Sequence, residues 1–97
     1  MSNDDDNTLG SFSIRIVDEN QQPMSGVAVG CSYCGLGSEI QYTNNKGWAT
    51  FPIYGGTIFS SQPVGVDQIY VNEIELMDFF YPEDGQTESF EYPWDDE

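Results

Sequence analysis

A chain of 97 residues has the size of one compact domain and leaves no room for a second core. Seventeen Asp and Glu residues stand against one Arg and one Lys, with no histidine, which gives a formal charge of −15. Because binding to nucleic acid and to anionic membranes depends on Lys and Arg, we expect neither as a direct ligand. At 38% hydrophobic and 14% aromatic, the chain has enough apolar material to fold rather than remain an acidic disordered segment.

The two ends of the sequence are polar and acidic. Residues 1–10 contain three consecutive aspartates and predict a disordered leader, followed by one domain over residues 11–92 and an acidic tail over residues 93–97. The leader lacks the basic and apolar regions of a secretory signal, and no stretch approaches the roughly 20 apolar residues of a membrane helix. A cytoplasmic protein is therefore expected.

The first predicted strand shows a clear two-residue period. Phe12, Ile14 and Ile16 alternate with the residues between them, which is the pattern of a half-buried strand. Residues 18–23 are rich in turn formers and end this strand. A second strand begins at residues 26–30.

A third strand is predicted over residues 39–43. The Asn-Asn-Lys-Gly sequence at residues 44–47 then fits a tight hairpin, because Asn and Gly tolerate the positive φ that such turns require. It leads directly into a fourth strand at residues 47–51. Within that strand we expect Trp48 and Phe51 to lie in the core.

The second half of the chain continues as short β-rich runs between turn residues. These runs cover residues 57–60, 68–72, 74–81 and 87–92, separated by Pro63, Gly65 and the turn at residues 82–85. Residues 72–80 also fit a short helix. Short strands at this spacing predict an all-β sandwich of about seven strands.

Two stretches carry a family resemblance. Residues 14–29 form a strand followed by a polar turn, a proline and a Gly-x-x-Val strand, and residues 43–51 have the pattern Thr-x-x-x-Gly-x-Ala-x-Phe. Over about residues 12–53 the chain resembles the carboxypeptidase regulatory-like, transthyretin-related domains. The resemblance implies an immunoglobulin-like sandwich that serves as an accessory or adhesive module, with Ala49 and Phe51 on one core face, and it implies no reaction.

Cys31 and Cys34 have the Cys-x-x-Cys spacing of half a zinc site or of a redox pair. With no histidine and no other cysteine, a complete metal site would need carboxylates or a second chain. The redox interpretation lacks the usual strand-to-helix context. Three alternatives remain at this point: reduced thiols at a strand end, a local disulfide, and a metal or redox site.

Catalytic patterns are weak in this sequence. A histidine base is absent, so serine or cysteine nucleophiles lack their usual partner. Glu73 and Glu75 would share one face of a strand and could act as an acid and a base, although a solvated face explains them better. The ordered spacing of a calcium-binding loop does not occur. We expect no enzyme activity and no cofactor.

The distribution of charge is the most informative feature. Residues 67–97 hold eleven acids and no basic residue, whereas residues 1–66 hold six acids. Aromatic residues stand between those acids, and such a mixture suits docking on a basic protein surface. The predicted partner-binding residues are Asp67, Glu73, Glu75, Asp78, Glu83, Asp84, Glu88, Glu91, Tyr92 and Trp94.

Three hypotheses explain the acid excess. The first is a noncatalytic interaction module that docks on a basic partner. The second is nucleic-acid mimicry that blocks a DNA- or RNA-binding protein, as small phage-encoded inhibitors including anti-CRISPR proteins do. Duplex DNA has a charge about every 1.7 Å of axis, whereas same-face carboxylates on a strand recur about every 6.8 Å, so a mimic needs acids from several strands on one face. The third is adaptation to high salt.

Overall fold

The computed structural model describes residues 8–55 and 63–92, which form seven β-strands and no helix. The strands lie in two sheets packed face to face, so the predicted small all-β sandwich is confirmed. In chain order they are β1 Thr8–Val17, β2 Ala28–Tyr33, β3 Gly37–Tyr42, β4 Trp48–Tyr54, β5 Val66–Val71, β6 Ile74–Met77 and β7 Thr87–Glu91.

One sheet has three strands in the order β4-β1-β7, and the other has four in the order β3-β2-β5-β6. Strand β1 is antiparallel to β4 and parallel to β7, and the pairs in the four-stranded sheet are antiparallel. Consecutive strands β1 and β2 therefore lie in different sheets. Strand β1 begins at Thr8, three residues before the predicted domain start at residue 11.

The core lies between the two sheets and follows the predicted alternation of β1. Phe12, Ile14 and Ile16 are at most 1% exposed, and Phe12 stacks on Phe51 with ring centroids 5.5 Å apart. Phe80 meets Phe12 edge-on at 5.7 Å and closes one end. The buried cluster consists of Phe12, Ile14, Ile16, Val29, Cys31, Tyr33, Ala49, Phe51, Ile53, Val66, Ile69 and Val71. The predicted core positions Ala49 and Phe51 are thus confirmed.

Trp48, in contrast, does not belong to the core, and that prediction was wrong. Side chains alternate along β4, so the inward position of Ala49 turns Trp48 to the outer side of the three-stranded sheet. There Trp48 is half-buried opposite Arg15, whose guanidinium carbon lies 5.7 Å from the ring centroid. The indole ring is covered by a cation rather than by the core.

The turn at residues 44–47 forms, but it is not a hairpin. The amide N–H of Gly47 donates a hydrogen bond to the carbonyl oxygen of Asn44 at 2.9 Å. The side-chain oxygen of Asn44 accepts hydrogen bonds from the amides of Lys46 and Trp48. Gly47 has φ of 85°, and a Cβ there would lie 2.7 Å from the carbonyl oxygen of Ile16. The turn joins β3 to β4, which belong to different sheets, so it is an arch between sheets.

Strand β6 replaces the short helix considered for residues 72–80. Asn72 and Glu73 form the turn between β5 and β6, and Asn72 has φ of 58°, a conformation that Asn tolerates. Beyond β6 the chain returns to pair Phe80 with Val66. The predicted strand at residues 57–60 lies outside the described residues, as does the predicted tail.

Two isoleucines of the four-stranded sheet test this assignment of faces. Ile69 is fully buried, whereas Ile40 is 51% exposed. Ile69→Val should lower the free energy of unfolding by about 1 kcal/mol, and Ile40→Val should change it by less than about 0.5 kcal/mol. Urea denaturation measures both values. Equal losses for the two variants would contradict the orientation of β3.

Candidate protein-binding face

Strand β3 has its polar and apolar residues reversed relative to an ordinary sandwich strand. Glu39 pairs with the buried Cys31, and paired residues of adjacent strands share a face, so Glu39 lies on the core side. Ile40 and Tyr42 consequently point away from the core and are 51% and 68% exposed. An apolar strand face is thereby presented on the outside of the four-stranded sheet.

A row of four residues crosses this outside surface from one edge to the other. Ile40 pairs with Gly30, Gly30 with Tyr70, and Tyr70 with Glu75. Gly30 leaves the space that the ring of Tyr70 occupies, because a Cβ at position 30 would collide with that ring. The row places an aliphatic side chain, an aromatic ring and a carboxylate side by side.

Two further residue pairs of β2 and β3 flank this row. Tyr42 pairs with Ala28 on one side of it, and Ser38 with Ser32 on the other. A shallow depression of about 260 Å³ is lined by Ser32, Ser38, Gln68, Tyr70, Asn72 and Glu73. We call the outer face the surface formed by Ala28, Gly30, Ser32, Ser38, Ile40, Tyr42, Gln68, Tyr70 and Glu75.

Four of the predicted partner-binding acids border the outer face. Glu73 lies in the turn before β6 and Glu75 on β6 itself, and both are exposed. Asp67 on β5 and Asp78 directly after β6 are also exposed. Both lie in the short stretch between the Ile69–Met77 pair and the Val66–Phe80 bridge. We call Asp67, Glu73, Glu75 and Asp78 the acidic rim.

Within the acidic rim two carboxyl groups interact directly. A hydrogen bond with Asp78 raises the pKa of Glu75, and the repulsion between the two negative charges adds to the effect. The two side chains are adjacent and exposed, so a partner cation can approach both. Glu73 lies in the turn before β6, so Glu73 and Glu75 do not share a strand face as the sequence pattern suggested.

The remaining predicted partner-binding residues lie elsewhere. Asp84 accepts a hydrogen bond from the Ser11 amide at the start of β1, beside Glu83 in the turn before β7. Glu88 is half-buried beside Ile14 and accepts a hydrogen bond from Gln86 at 3.0 Å.

At the opposite end of β7, Glu91 pairs with Val17 of the three-stranded sheet. The hydroxyl of Tyr92 accepts a hydrogen bond from Asn72 at 3.2 Å, which ties the end of the described chain to the turn before β6. Trp94 lies outside the described residues. The nine described members of the predicted set therefore do not form a single surface.

Both basic residues of the chain lie away from the outer face. Arg15 is on β1 of the three-stranded sheet, and its Nε donates to the carbonyl oxygen of Lys46 at 3.1 Å. The four strands of the other sheet contain no Lys or Arg. Neither cation therefore belongs to the outer face or to the acidic rim, in agreement with the absence of basic residues from residues 67–97.

Beneath the outer face, a polar cluster closes the edge of the core. Glu39 accepts hydrogen bonds from the Tyr54 hydroxyl at 3.2 Å and from the Gln41 side chain at 2.8 Å. The Tyr33 hydroxyl donates to the carbonyl oxygen of Pro52 at 2.5 Å, and the rings of Tyr33 and Tyr54 meet edge-on at 4.9 Å. These bonds give the inward carboxylate of Glu39 partners that compensate for its partial loss of water.

The two cysteines occupy different environments. Cys31 is fully buried and Cys34 is exposed in the loop after β2, and both thiols are free. Burial raises the pKa of the Cys31 thiol to about 12. Of the three alternatives, this placement matches reduced thiols at a strand end, and within residues 8–55 and 63–92 no three His, Cys, Asp or Glu side chains form a metal-binding group.

Two edge strands hold a carboxylate on the core side. Glu39 does so on β3, and Glu88 on β7, and each of these strands is one of the two edges of its sheet. A charge in this position opposes pairing with another strand, because pairing would bury it further. The edges are therefore protected without loss of the exposed Ile40 and Tyr42 side chains.

Comparisons of this chain with protein-family models, curated proteins and solved structures give no match. The resemblance to transthyretin-related domains therefore stays a prediction from residues 12–53. In the described part of the chain no helix has the length and apolarity needed to cross a membrane.

Edge protection by Glu39 can be tested by substitution. Glu39→Val removes the inward charge and should promote association of the chain through β3, because a flat apolar edge pairs readily with other strands. Glu19→Val makes the same change of side chain at an exposed turn and should leave the association state of the original chain unchanged. Static light scattering over time measures the difference. Equal behaviour of the two variants would contradict the protective role.

Burial of Cys31 predicts a loss of stability at alkaline pH. The folded-state pKa of the thiol is raised to about 12, so its contribution is complete below the unfolded pKa of about 8.5 and is lost as the pH rises toward 12. Burial also raises the pKa of Tyr33, which acts in the same direction. Urea midpoints measured across this range should fall less steeply for Cys31→Ala than for the original chain. Cys34→Ser, which removes the exposed thiol, should keep the original slope.

Proposed function

We propose that this chain is a noncatalytic acidic interaction module that docks on a basic protein surface. The observation that carries the proposal is the separation of charge by the fold. Arg15 lies on the three-stranded sheet and donates to the backbone carbonyl of Lys46 in the turn between the sheets, while the four-stranded sheet has no basic residue and is bordered by the acidic rim.

Charge of one sign on one side of a molecule has a known use in association. It attracts a partner of opposite sign before contact and raises the association rate, while it repels molecules of like sign. A net charge of −15 also opposes folding through self-repulsion. Retention of that charge is consistent with a role in binding a cationic partner.

The sandwich supports the resemblance to transthyretin-related domains at the level of architecture. Immunoglobulin constant domains place their first two strands in one sheet, whereas β1 and β2 lie in different sheets here. We therefore propose the transthyretin-related description over the immunoglobulin one. An accessory binding module is the role that this resemblance implies.

Nucleic-acid mimicry is less well supported. A mimic needs acids from several strands on one face. In the described chain, Asp84 and Glu91 lie at opposite ends of the three-stranded sheet, and Glu88 is half-buried. Mimicry is therefore kept as an outcome of the experiment, as is adaptation to high salt.

The test is affinity capture from cell lysates at low and moderate salt, with two variants of equal charge. Glu73→Lys/Glu75→Lys reverses two charges of the acidic rim, and Glu19→Lys/Asn20→Lys/Asn45→Lys makes the same total charge change on exposed residues outside the predicted binding set. Bound proteins are identified by mass spectrometry. We expect the original chain to capture a basic protein, the rim variant to capture about tenfold less, and the control to match the original.

Each other outcome has a defined meaning. Equal capture by the two variants would assign binding to net charge alone, and absence of any basic protein would refute the proposal. Displacement of a captured nucleic-acid-binding protein by duplex DNA would favour mimicry. If circular dichroism shows that the original chain unfolds when salt is removed, adaptation to high salt would be favoured.

A further inference from the structure

We propose that the outer face is the contact surface of this module and that it binds arginine side chains of a basic protein. This inference rests on the proposed function and adds the location and the chemistry of the contact. The central row of Ile40, Gly30, Tyr70 and Glu75 carries it, together with Tyr42 beside that row.

The exposed apolar residues are the first step. Ile40 and Tyr42 are 51% and 68% exposed although they stand on a regular strand of a well-packed sandwich. Burying such a side chain stabilises a fold, so a strand that leaves two of them exposed forgoes that stabilisation within the single chain. Apolar groups arranged together on a flat face typically mark a contact surface.

Edge protection does not account for this arrangement. It explains why Glu39 points inward, and the strand period then forces residues 38, 40 and 42 outward. It does not require those outward residues to be apolar, and Ser38 shows that a polar residue fits there. The apolar character of Ile40 and Tyr42 is explained if this face contacts a partner.

The ring of Tyr70 is held in place for contact. It lies across β2 in the space left by Gly30, with Ile40 on one side and Glu75 on the other. A ring with a fixed orientation loses little conformational entropy on binding, which favours tyrosine at interfaces. Its neighbour Glu75 supplies a negative charge at the edge of the ring.

Arginine is the side chain that fits this combination. Its planar guanidinium stacks on aromatic rings and pairs with carboxylates at the same time, whereas the lysine ammonium is a compact, strongly hydrated charge. The molecule itself contains such a contact, since Arg15 lies 5.7 Å from the Trp48 ring centroid on the opposite sheet. On the outer face Tyr42, Tyr70 and the acidic rim offer the same elements without an arginine.

Charge complementarity also selects the class of partner. Two outer faces brought together would oppose acidic rims with no Lys or Arg on either sheet, so a second copy is disfavoured. Phosphate-bearing polymers and anionic vesicles are repelled for the same reason. These observations therefore favour a basic protein surface as the partner that binds the outer face.

The experiment uses the full isotope-labelled chain and two probes, an arginine homopeptide and a lysine homopeptide of equal length. Chemical-shift changes during titration show where each probe binds. We expect the largest changes at Ile40, Tyr42, Tyr70 and Glu75, and a dissociation constant roughly tenfold lower for the arginine peptide. Largest changes around Trp48 and Thr50 would overturn the inference while leaving the proposed function in place.

A matched pair of variants tests the apolar contribution. Ile40→Ser/Tyr42→Ser removes it from the outer face, and Leu36→Ser/Tyr81→Ser removes equally exposed residues elsewhere, at 54% and 63%. Only the first should weaken binding of the arginine peptide, by about tenfold. Equal effects of both variants would overturn the inference.

Two further outcomes are decisive. A chain that binds neither peptide at low salt would refute the proposed function as well as the contact surface. Sedimentation of the original chain tests the competing occupant: a dimer that disappears in Ile40→Ser/Tyr42→Ser would assign the outer face to a second copy. Retention of the dispersed NMR spectrum shows that each variant is folded.

Discussion

Strict alternation of side chains along a strand is the constraint on which the candidate face depends. Once Glu39 lies on the core side of β3, Ile40 and Tyr42 must lie outside. The inward carboxylate is tolerated because Tyr54 and Gln41 donate hydrogen bonds to it. One orientation thus produces both a protected sheet edge and an exposed apolar face.

The fold also determines how the charge is used. Seventeen acids would repel one another strongly if they were concentrated. Within the described residues, the fold distributes the acids over turns, the acidic rim and both ends of β7. On the three-stranded sheet Arg15 covers Trp48 and donates to the backbone carbonyl of Lys46. The outer face of the four-stranded sheet, with its acidic rim, is mixed apolar and acidic, and this character suits a cationic partner with planar side chains.

Several elements were predictable because local pattern and final environment agree. The alternation of Phe12, Ile14 and Ile16 predicted β1, and the core positions of Ala49 and Phe51 followed from the same period. The core prediction for Trp48 was wrong because its size and hydrophobicity suggested burial, whereas the strand period places its side chain outside, where Arg15 covers the ring. The turn at residues 44–47 was recognised from its Asn and Gly, but local chemistry does not reveal whether a turn joins neighbours or crosses between sheets.

The sequence by itself determined the all-β class, the acidic character and the positions of most strands. Those properties depend on composition and on short-range periodicity. The tertiary structure alone decided that β3 turns its apolar side outward, that Glu75 lies beside Tyr70 and Asp78, and that Arg15 lies on the opposite sheet beside Trp48. These relations depend on which strands pair and in which register, and residues far apart in the chain become neighbours only through that pairing.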